Sequence, residues 1–353
     1  MAGFRIINRH NSHDSPSSED LQRRPEPLKG NCSLPDVYGR RTAEPLFCHR
    51  RSPVLKRRQI LWSRPLRRLI FIGIGVAAST LTLRGLGLLQ RPELDAHDLM
   101  TRLRPVPASA AEVVVGFDEA FLARPGNWPA SDGQLAQVLK GVASANPAAI
   151  GLDIYRDVSV GAGKEELRQL YKTLPNLYGI QRIEDKDTPR IKAPDLLNRK
   201  DQVGFNNMVL DGDGRMRRLL LYLWADGKGY QSLSLKLAEH YLEADNITVT
   251  LDKNNSDLVR LGSTLLSPLE QNSGAYQGED TAGYQIFADF RGGRGAVPMV
   301  LAQDIIDGNF DPALLTNRVV LVGVVADSVK DVFHTPYSSA TLDSKPPVFG
   351  VEV

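Results

Sequence analysis

The rhythm of hydrophobic and polar positions changes several times along this chain, and each change marks an element. From Leu69 to Leu89 the only charge is Arg84. That run is about 21 residues long, and a helix needs roughly 20 apolar residues to cross the hydrocarbon layer of a membrane. Gly73, Gly75, Gly85 and Gly87 would weaken a soluble helix, but glycine is common in membrane helices. Arg84 lies near the far end, where a long side chain reaches the headgroups. The pattern predicts one transmembrane helix with its flanks within residues 61–90.

Beyond it, Leu94 to Leu103 has the spacing of a short amphipathic helix. "EVVVGF", Glu112 to Phe117, is a β-branched run that stops at Asp118 and predicts a buried strand. In "SDGQLAQVLKGVASANP", Leu135, Val138, Leu139 and Val142 recur at helical spacing. Ser131 or Asp132 is the N-cap and Pro147 the stop. "AAIGLDIY" is a second strand, reaching Asp153. Strand, helix and strand in this order form a βαβ unit, with parallel strands and a right-handed crossover.

The alternation continues. "KEELRQLYKTL" predicts a helix and "NLYGIQRI" a strand. "VGFNNMVLDGDGRMRRLLLYLWADG" reads as strand, turn, strand, a hairpin. "SLSLKLAEHYL" is a helix, "ITVTLDKNNSDLVRLG" a small hairpin and "YQIFADFRG" a strand. "PMVLAQDIIDG" is a helix and "RVVLVGVVAD" a buried strand. The fold class is α/β: a largely parallel core sheet with βαβ units and antiparallel hairpin insertions, preceded by one transmembrane helix.

Charge adds direction. The net charge of +2 hides an asymmetry. Arg50, Arg51, Lys56, Arg57, Arg58, Arg64, Arg67 and Arg68 precede the apolar run with no acid among them, whereas Glu93, Asp95 and Asp98 follow it around Arg91. The positive-inside rule puts the N-terminus in the cytoplasm and the globular part outside the inner (plasma) membrane, periplasmic or extracellular. A secretory signal peptide belongs near the N-terminus, and this run starts near residue 60. "LRRLIFIG" also resembles a twin-arginine export signal. A buried core helix has no need of arginines on one side only. Residues 1–60 are rich in Ser, Pro, Asn and Arg and predict a disordered, basic cytoplasmic tail. Its basic end also suits anionic lipid. Both cysteines, Cys32 and Cys48, fall in that tail. The part after the span needs no oxidative folding and offers no thiolate zinc site. It has no basic stripe with interleaved aromatics, which argues against a nucleic-acid partner.

Candidate chemistry is sparse. "GAGKEE", Gly161 to Glu166, fails as a phosphate loop, because Val158 and Glu165 stand where glycine and Ser or Thr are needed. "DGDGR", Asp211 to Arg215, opens like a calcium loop, but no Glu closes it, so it reads as a turn. "GGRG", Gly292 to Gly295, is a loop whose N–H groups and Arg294 would suit an anion. His97, His240 and His334 have no metal-ligand spacing, and no serine elbow is present, so no cofactor, metal or catalytic set is predicted. Asp118 and Asp153 each close a predicted parallel strand, and Asp327 follows "VVLVGVVA". Ligands of open α/β sheets bind beyond the carboxyl ends of the strands, although such aspartates also cap helices. Asp118, Asp153, Asp327 and Asp331 are therefore the candidate rim for a small cationic or hydroxyl-rich ligand. Arg156 could neutralise one of them.

The order of segments resembles the CHASE2 family. The resemblance rests on "VVVGFDEAFL…NWP", "AAIGLDIYRD", "VGFNNMVLDGDGRMRR", "FADFRGG", "RVVLVGVVADSVKDVFHTPYSS" and "PPVFGVEV". It covers roughly residues 92–353. Its motif positions here are Asp211, Asp213, Gly214, Arg215 and Arg218 of the D-x-D-G-x-x-R-R turn, and Gly323 of the V-G-x-x-A run. The pattern departs after Trp128, where the family usually has a second Trp and an Arg and this chain has "PASDG". The resemblance implies an extracytoplasmic sensory domain at residues 91–353 with no catalysis of its own. It implies an unknown small-molecule signal, a cytoplasmic output module absent from this chain, and a homodimer or a cytoplasmic signalling partner. The family normally continues into a helix where this sequence reads "GVEV", so truncation of the domain at its C-terminus is expected. The competing reading is an exported α/β hydrolase or phosphatase that uses the strand-end aspartates. A third is an interaction module in an envelope complex.

The topology makes a direct prediction. A reporter active only after export should be active when fused after Leu210 and silent when fused at Ser52; the reverse pattern rejects the orientation.

Overall fold

A computed structural model describes residues 64–104, 111–186, 188–293, 295–329 and 333–338. The predicted tail with Cys32 and Cys48, Arg294, Asp331 and the "PPVFGVEV" run lie outside the described residues. The chain divides into two units that part between Ser79 and Thr80.

The first helix, α1, spans Arg64–Gly85 and is long and apolar enough to cross a membrane. It stops short of the apolar run's end at Leu89. Gly87 takes φ +73°, its N–H bonds Arg84 O at 2.8 Å, and Leu88 N–H bonds Leu83 O at 3.0 Å. These two bonds form a Schellman closure, which favours glycine at that position. The second helix, α2 (Gln90–Leu103), starts after this turn.

The core of the larger unit is a six-stranded sheet with every neighbour parallel. Its strands are β1 (Glu112–Phe117), β2 (Ala149–Asp153), β3 (Leu177–Gln181), β4 (Val203–Phe205), β11 (Met299–Leu301) and β12 (Val319–Val324), in the order β11-β1-β12-β2-β3-β4. The Val- and Ile-rich runs are buried on both faces, as a parallel sheet requires. On one face Val113, Val115, Ile150 and Leu152 pack against α4 (Asp132–Ser144), α5 (Lys164–Thr173) and α8 (Ala302–Asp307). On the other, Ala149, Ile180, Val319 and Leu321 pack against Leu233 and Leu237 of α7 (Leu233–Glu243). Here glycine permits close approach: a Cβ on Gly204 would lie 2.3 Å from the backbone of Leu233, so α7 sits directly on β4. The four-residue helices α3 (Glu119–Leu122) and α6 (Asp195–Asn198) complete the rims.

The N-cap of α4 is Ser131, in a capping box with Gln134. Asp132 is not the cap but is buried beside Arg156, 3.4 Å from its Nε.

Two small antiparallel sheets adjoin the core. One is β10-β5-β6, from β5 (Arg218–Ala225), β6 (Lys228–Gln231) and β10 (Tyr284–Phe287). The other is β7-β8-β9, from β7 (Val249–Leu251), β8 (Val259–Leu261) and β9 (Thr264–Leu266). The second contains the expected hairpin, Val249 opposite Leu261, with β9 added.

Two expectations are corrected. "VGFNNMVLDGDGRMRRLLLYL" is not a hairpin: β4 completes the parallel sheet beside β3, and β5 pairs with β6 and β10. The chain leaves β4 through Asn207, whose side chain bonds Ile183 N at 2.8 Å and Ile183 O at 2.7 Å. "PMVLAQDIIDG" is only half helix. Met299–Leu301 is the edge strand β11 on β1, where apolar residues after a proline gain a ladder, and α8 begins at Ala302.

Candidate functional site

The "DGDGR" turn forms as expected: Asp211 N–H bonds Arg215 O at 2.9 Å, Gly214 N–H bonds Asp211 O at 2.8 Å, and Gly214 takes φ +76°. Its charges, however, do not face water. The turn delivers Arg217 and Arg218 into the interior at 0% and 2% exposure, where they meet Asp98 of α2 at 1%.

Arg217 uses every N–H it has. Nε donates to Asp98 Oδ1 at 2.7 Å and Nη2 to Asp98 Oδ2 at 2.9 Å, a fork on one carboxylate. Nη1 donates to Asp211 Oδ2 at 2.6 Å and Asp213 Oδ1 at 3.0 Å, and Nη2 also donates to Asp213 Oδ2 at 2.7 Å. A guanidinium has five donors, and three carboxylates take them all. Arg218 is held similarly. It donates to Asp211 Oδ1 at 2.8 Å, Gln285 Oε1 at 3.0 Å, Asp280 O at 2.9 Å and Glu279 Oε1 at 3.0 Å, and lies 5.0 Å from the Tyr276 ring centre. Tyr276 in turn donates to Asp211 Oδ2 at 2.9 Å. Arg215 donates to Asp98 Oδ2 at 2.8 Å and to Asp95 Oδ1 at 3.2 Å.

The electrostatics follow the geometry. Burial pushes the Asp98 carboxyl up. His97 beside it, the Arg217 hydrogen bonds and the charges of Arg217 and Arg215 outweigh burial and hold it well below the usual carboxylate range. Asp213 is shifted down in the same way: burial raises it, and Arg217 and the Arg215 N–H lower it further. Burial alone would lower Arg217, but Asp98, Asp213 and Asp211 raise it, so it stays charged.

The cluster fastens the helix that follows the apolar span. Other bonds help: Tyr337 donates to Thr101 O at 3.1 Å, Arg102 to Pro336 O at 2.6 Å, and Gln90 accepts from Gln277 N at 3.2 Å. Met216 N–H bonds His334 O at 2.8 Å. Thus the D-x-D-G-x-x-R-R turn and the T-P-Y-S run, far apart in sequence, meet on α2. The sequence reading named Asp211, Asp213, Gly214, Arg215 and Arg218 but passed over Arg217, the centre, and Asp98, its partner. The signal was there: two adjacent arginines entering an apolar run must find buried partners.

The strand-end aspartates stand as follows. β12 lies between β1 and β2, and the register runs Gly116, Gly323, Asp153 across the three strands. Gly116 is where a Cβ would lie 2.5 Å from Val325. Asp118 caps α3, accepting from Phe121 N at 3.0 Å. Asp153 is buried and accepts from Asn206 Nδ2 at 3.3 Å, and Asn206 Oδ1 accepts from Tyr155 OH at 2.6 Å. Asp327 opens a single 3-10 turn, Asp327–Val329. Arg156 donates to Ala130 O and to Tyr155 O and lies beside Asp132, so its ion-pair partner is Asp132. Clefts open elsewhere: one of about 630 Å³ lined by Trp224, Tyr230, Gln231 and Lys236, and one of about 440 Å³ lined by Tyr178, Gln231, Lys236 and Glu239.

Among protein families, the model of the CHASE2 domain matches residues 73–353. No curated protein and no solved structure matches the chain.

Removing one partner of a buried ion cluster strands the others, at about 3–5 kcal/mol. Asp98→Ala should lose stability of that order in urea unfolding, whereas Asp95→Ala, at an exposed pair, should stay within about 0.5 kcal/mol. Asp98 and Asp213 have depressed folded-state pKa values, so their contribution is present above the ordinary carboxylate pKa and is lost as pH falls below it. The urea midpoint of the wild type should therefore fall on acidification below about pH 4, and fall less in Asp98→Asn.

Proposed function

Because the chain belongs to the CHASE2 family, a sensory domain family of bacterial receptors, we propose that it is a membrane-anchored sensor. Its basic tail, residues 1–60, lies in the cytoplasm, α1 crosses the membrane, and residues 91–353 bind a signal outside. The output is a cytoplasmic module or partner. The observation that carries this reading is the clamp: the helix after the apolar span is bonded through Asp98 to an arginine with no exposed surface.

The signal reaches the clamp through covalent continuity. Asp153 at the strand-end rim is bonded to Asn206, and the chain runs from Asn206 directly to the turn that carries Arg217. A ligand that changes the Asp153–Asn206 contact shifts this segment, and the segment holds α2. The ligand site is the rim of Asp118, Asp153 and Asp327. Its carboxylates favour a cationic or hydroxyl-rich molecule over an anion. The hydrolase alternative has no supporting feature among the described residues, since Asp118 serves as a helix cap.

Thermal-shift screening tests the site. A ligand at 100 times its Kd stabilises the folded state by about 2.7 kcal/mol. Hits from amines and polyols should lose that stabilisation in Asp153→Asn and Asp327→Asn. Hits that stabilise all three proteins equally place the ligand elsewhere, with the Gln231–Lys236 clefts next in line.

A further inference from the structure

The antiparallel sheet β10-β5-β6 carries an aromatic side chain that the fold does not use. Trp224, near the end of β5, is 74% exposed. Its partner in register is Gly229 of β6, where a Cβ would lie 3.0 Å from the indole. The glycine lets the ring lie against the strand while most of its surface stays in water. Tyr222, two residues earlier, shares that face of β5 and packs edge-on against Tyr284 with ring centres 6.1 Å apart. All three aromatics line the cleft of about 630 Å³. That cleft meets the one of about 440 Å³ at Asp201, Gln231 and Lys236, which line both, so the two form one open groove.

The charges of the groove cancel. Lys200, Lys228 and Lys236 are matched by Asp201, Glu239 and Glu243, and the chain engages them itself. Lys236 Nζ donates to Asp201 Oδ2 at 3.0 Å, and Lys200 Nζ to Tyr171 O at 2.9 Å. Gln231 Nε2 donates to Glu239 Oε1 at 3.0 Å, and His240 Nδ1 lies 3.2 Å from Glu243. Lys228 Nζ sits 4.6 Å from the Tyr230 ring centre. A phosphate or a polyamine would find no uncompensated charge here. The groove offers neutral hydrogen bonding instead: the amides of Gln181 and Asn198, and the Asp201 carboxylate, 91% exposed beyond its bond to Lys236. Amides donate and accept, and a carboxylate accepts. An aromatic wall with mixed donors and acceptors suits a pyranose, whose C–H face packs on a ring and whose hydroxyls give and take hydrogen bonds. A groove that runs on into a second cleft suits a chain of such rings. We propose that it binds a linear, uncharged oligosaccharide, with one pyranose on Trp224 and its neighbours running past Gln231 toward Tyr178. Asp118, Asp153 and Asp327 line neither cleft, so this site stands or falls separately from the rim.

The test uses the full chain in lipid nanodiscs, which avoids detergents with sugar headgroups. The probes are linear tetrasaccharides of glucose, of N-acetylglucosamine and of mannose, with adenosine as a control for stacking alone. At least one tetrasaccharide should bind in calorimetric titration and shift tryptophan emission to the blue. Trp224→Ala should weaken that binding about tenfold or more. Gly229→Val, which keeps the indole but pushes it off β6, should weaken it too. Both variants should keep the circular dichroism of the parent. Trp128→Ala and Asp153→Asn should bind as the parent does. Absence of binding by all three tetrasaccharides overturns the proposal, and so does binding that Trp224→Ala leaves unchanged. Adenosine binding more tightly than any tetrasaccharide overturns the ligand class. Binding that Asp153→Asn abolishes assigns the sugar to the rim and overturns the site.

Discussion

Everything distinctive in this molecule depends on Arg217. A charged guanidinium with no exposed surface is tolerated only if each donor finds an acceptor. Here five N–H groups meet Asp98, Asp211 and Asp213 at 2.6 to 3.0 Å. Two of those carboxylates come from the turn that carries the arginine, so local sequence supplies most of the solvation. The third comes from α2, 119 residues away in sequence. Satisfying Arg217 therefore brings α2 to the domain, and no apolar contact could set its position so sharply. Such a cluster adds little net stability over an apolar core of equal volume. What it adds is geometry, and a penalty for leaving that geometry.

The parallel sheet is the frame on which this happens. Its Val- and Ile-rich strands are buried by α4, α5 and α8 on one face and α7 on the other. The loop from Asn206 to Arg217 joins a rim carboxylate, Asp153, to the clamp on α2.

The sequence carried the sheet well and the clamp poorly, for physical reasons. "EVVVGF", "AAIGLDIY" and "RVVLVGVVAD" are strands because β-branched apolar runs of that length have one stable use in this order, and the spacing of Leu135, Val138, Leu139 and Val142 marks α4 directly. "PMVL" was masked by the helix that follows it, since three residues of strand carry no period of their own. The "DGDGR" turn was readable, but the fate of its flanks was not: pairing of β5 with β10 joins residues more than 60 apart. Asp98 looked like one of several acids on the outer side of a span. Only the fold reveals that α2 turns this acid inward, beside Leu94.

The central claim is that Asp98 and Arg217 fasten α2 to the sensory domain. Hydrogen exchange on the full chain measures this most directly. In the wild type the α2 amides around Asp98 should be protected about as well as those of β5. In Asp98→Asn, α2 should lose protection by at least tenfold while β1, β2 and β12 keep theirs. Unchanged protection of α2 in that variant would contradict the account, because some other contact would then be holding the helix.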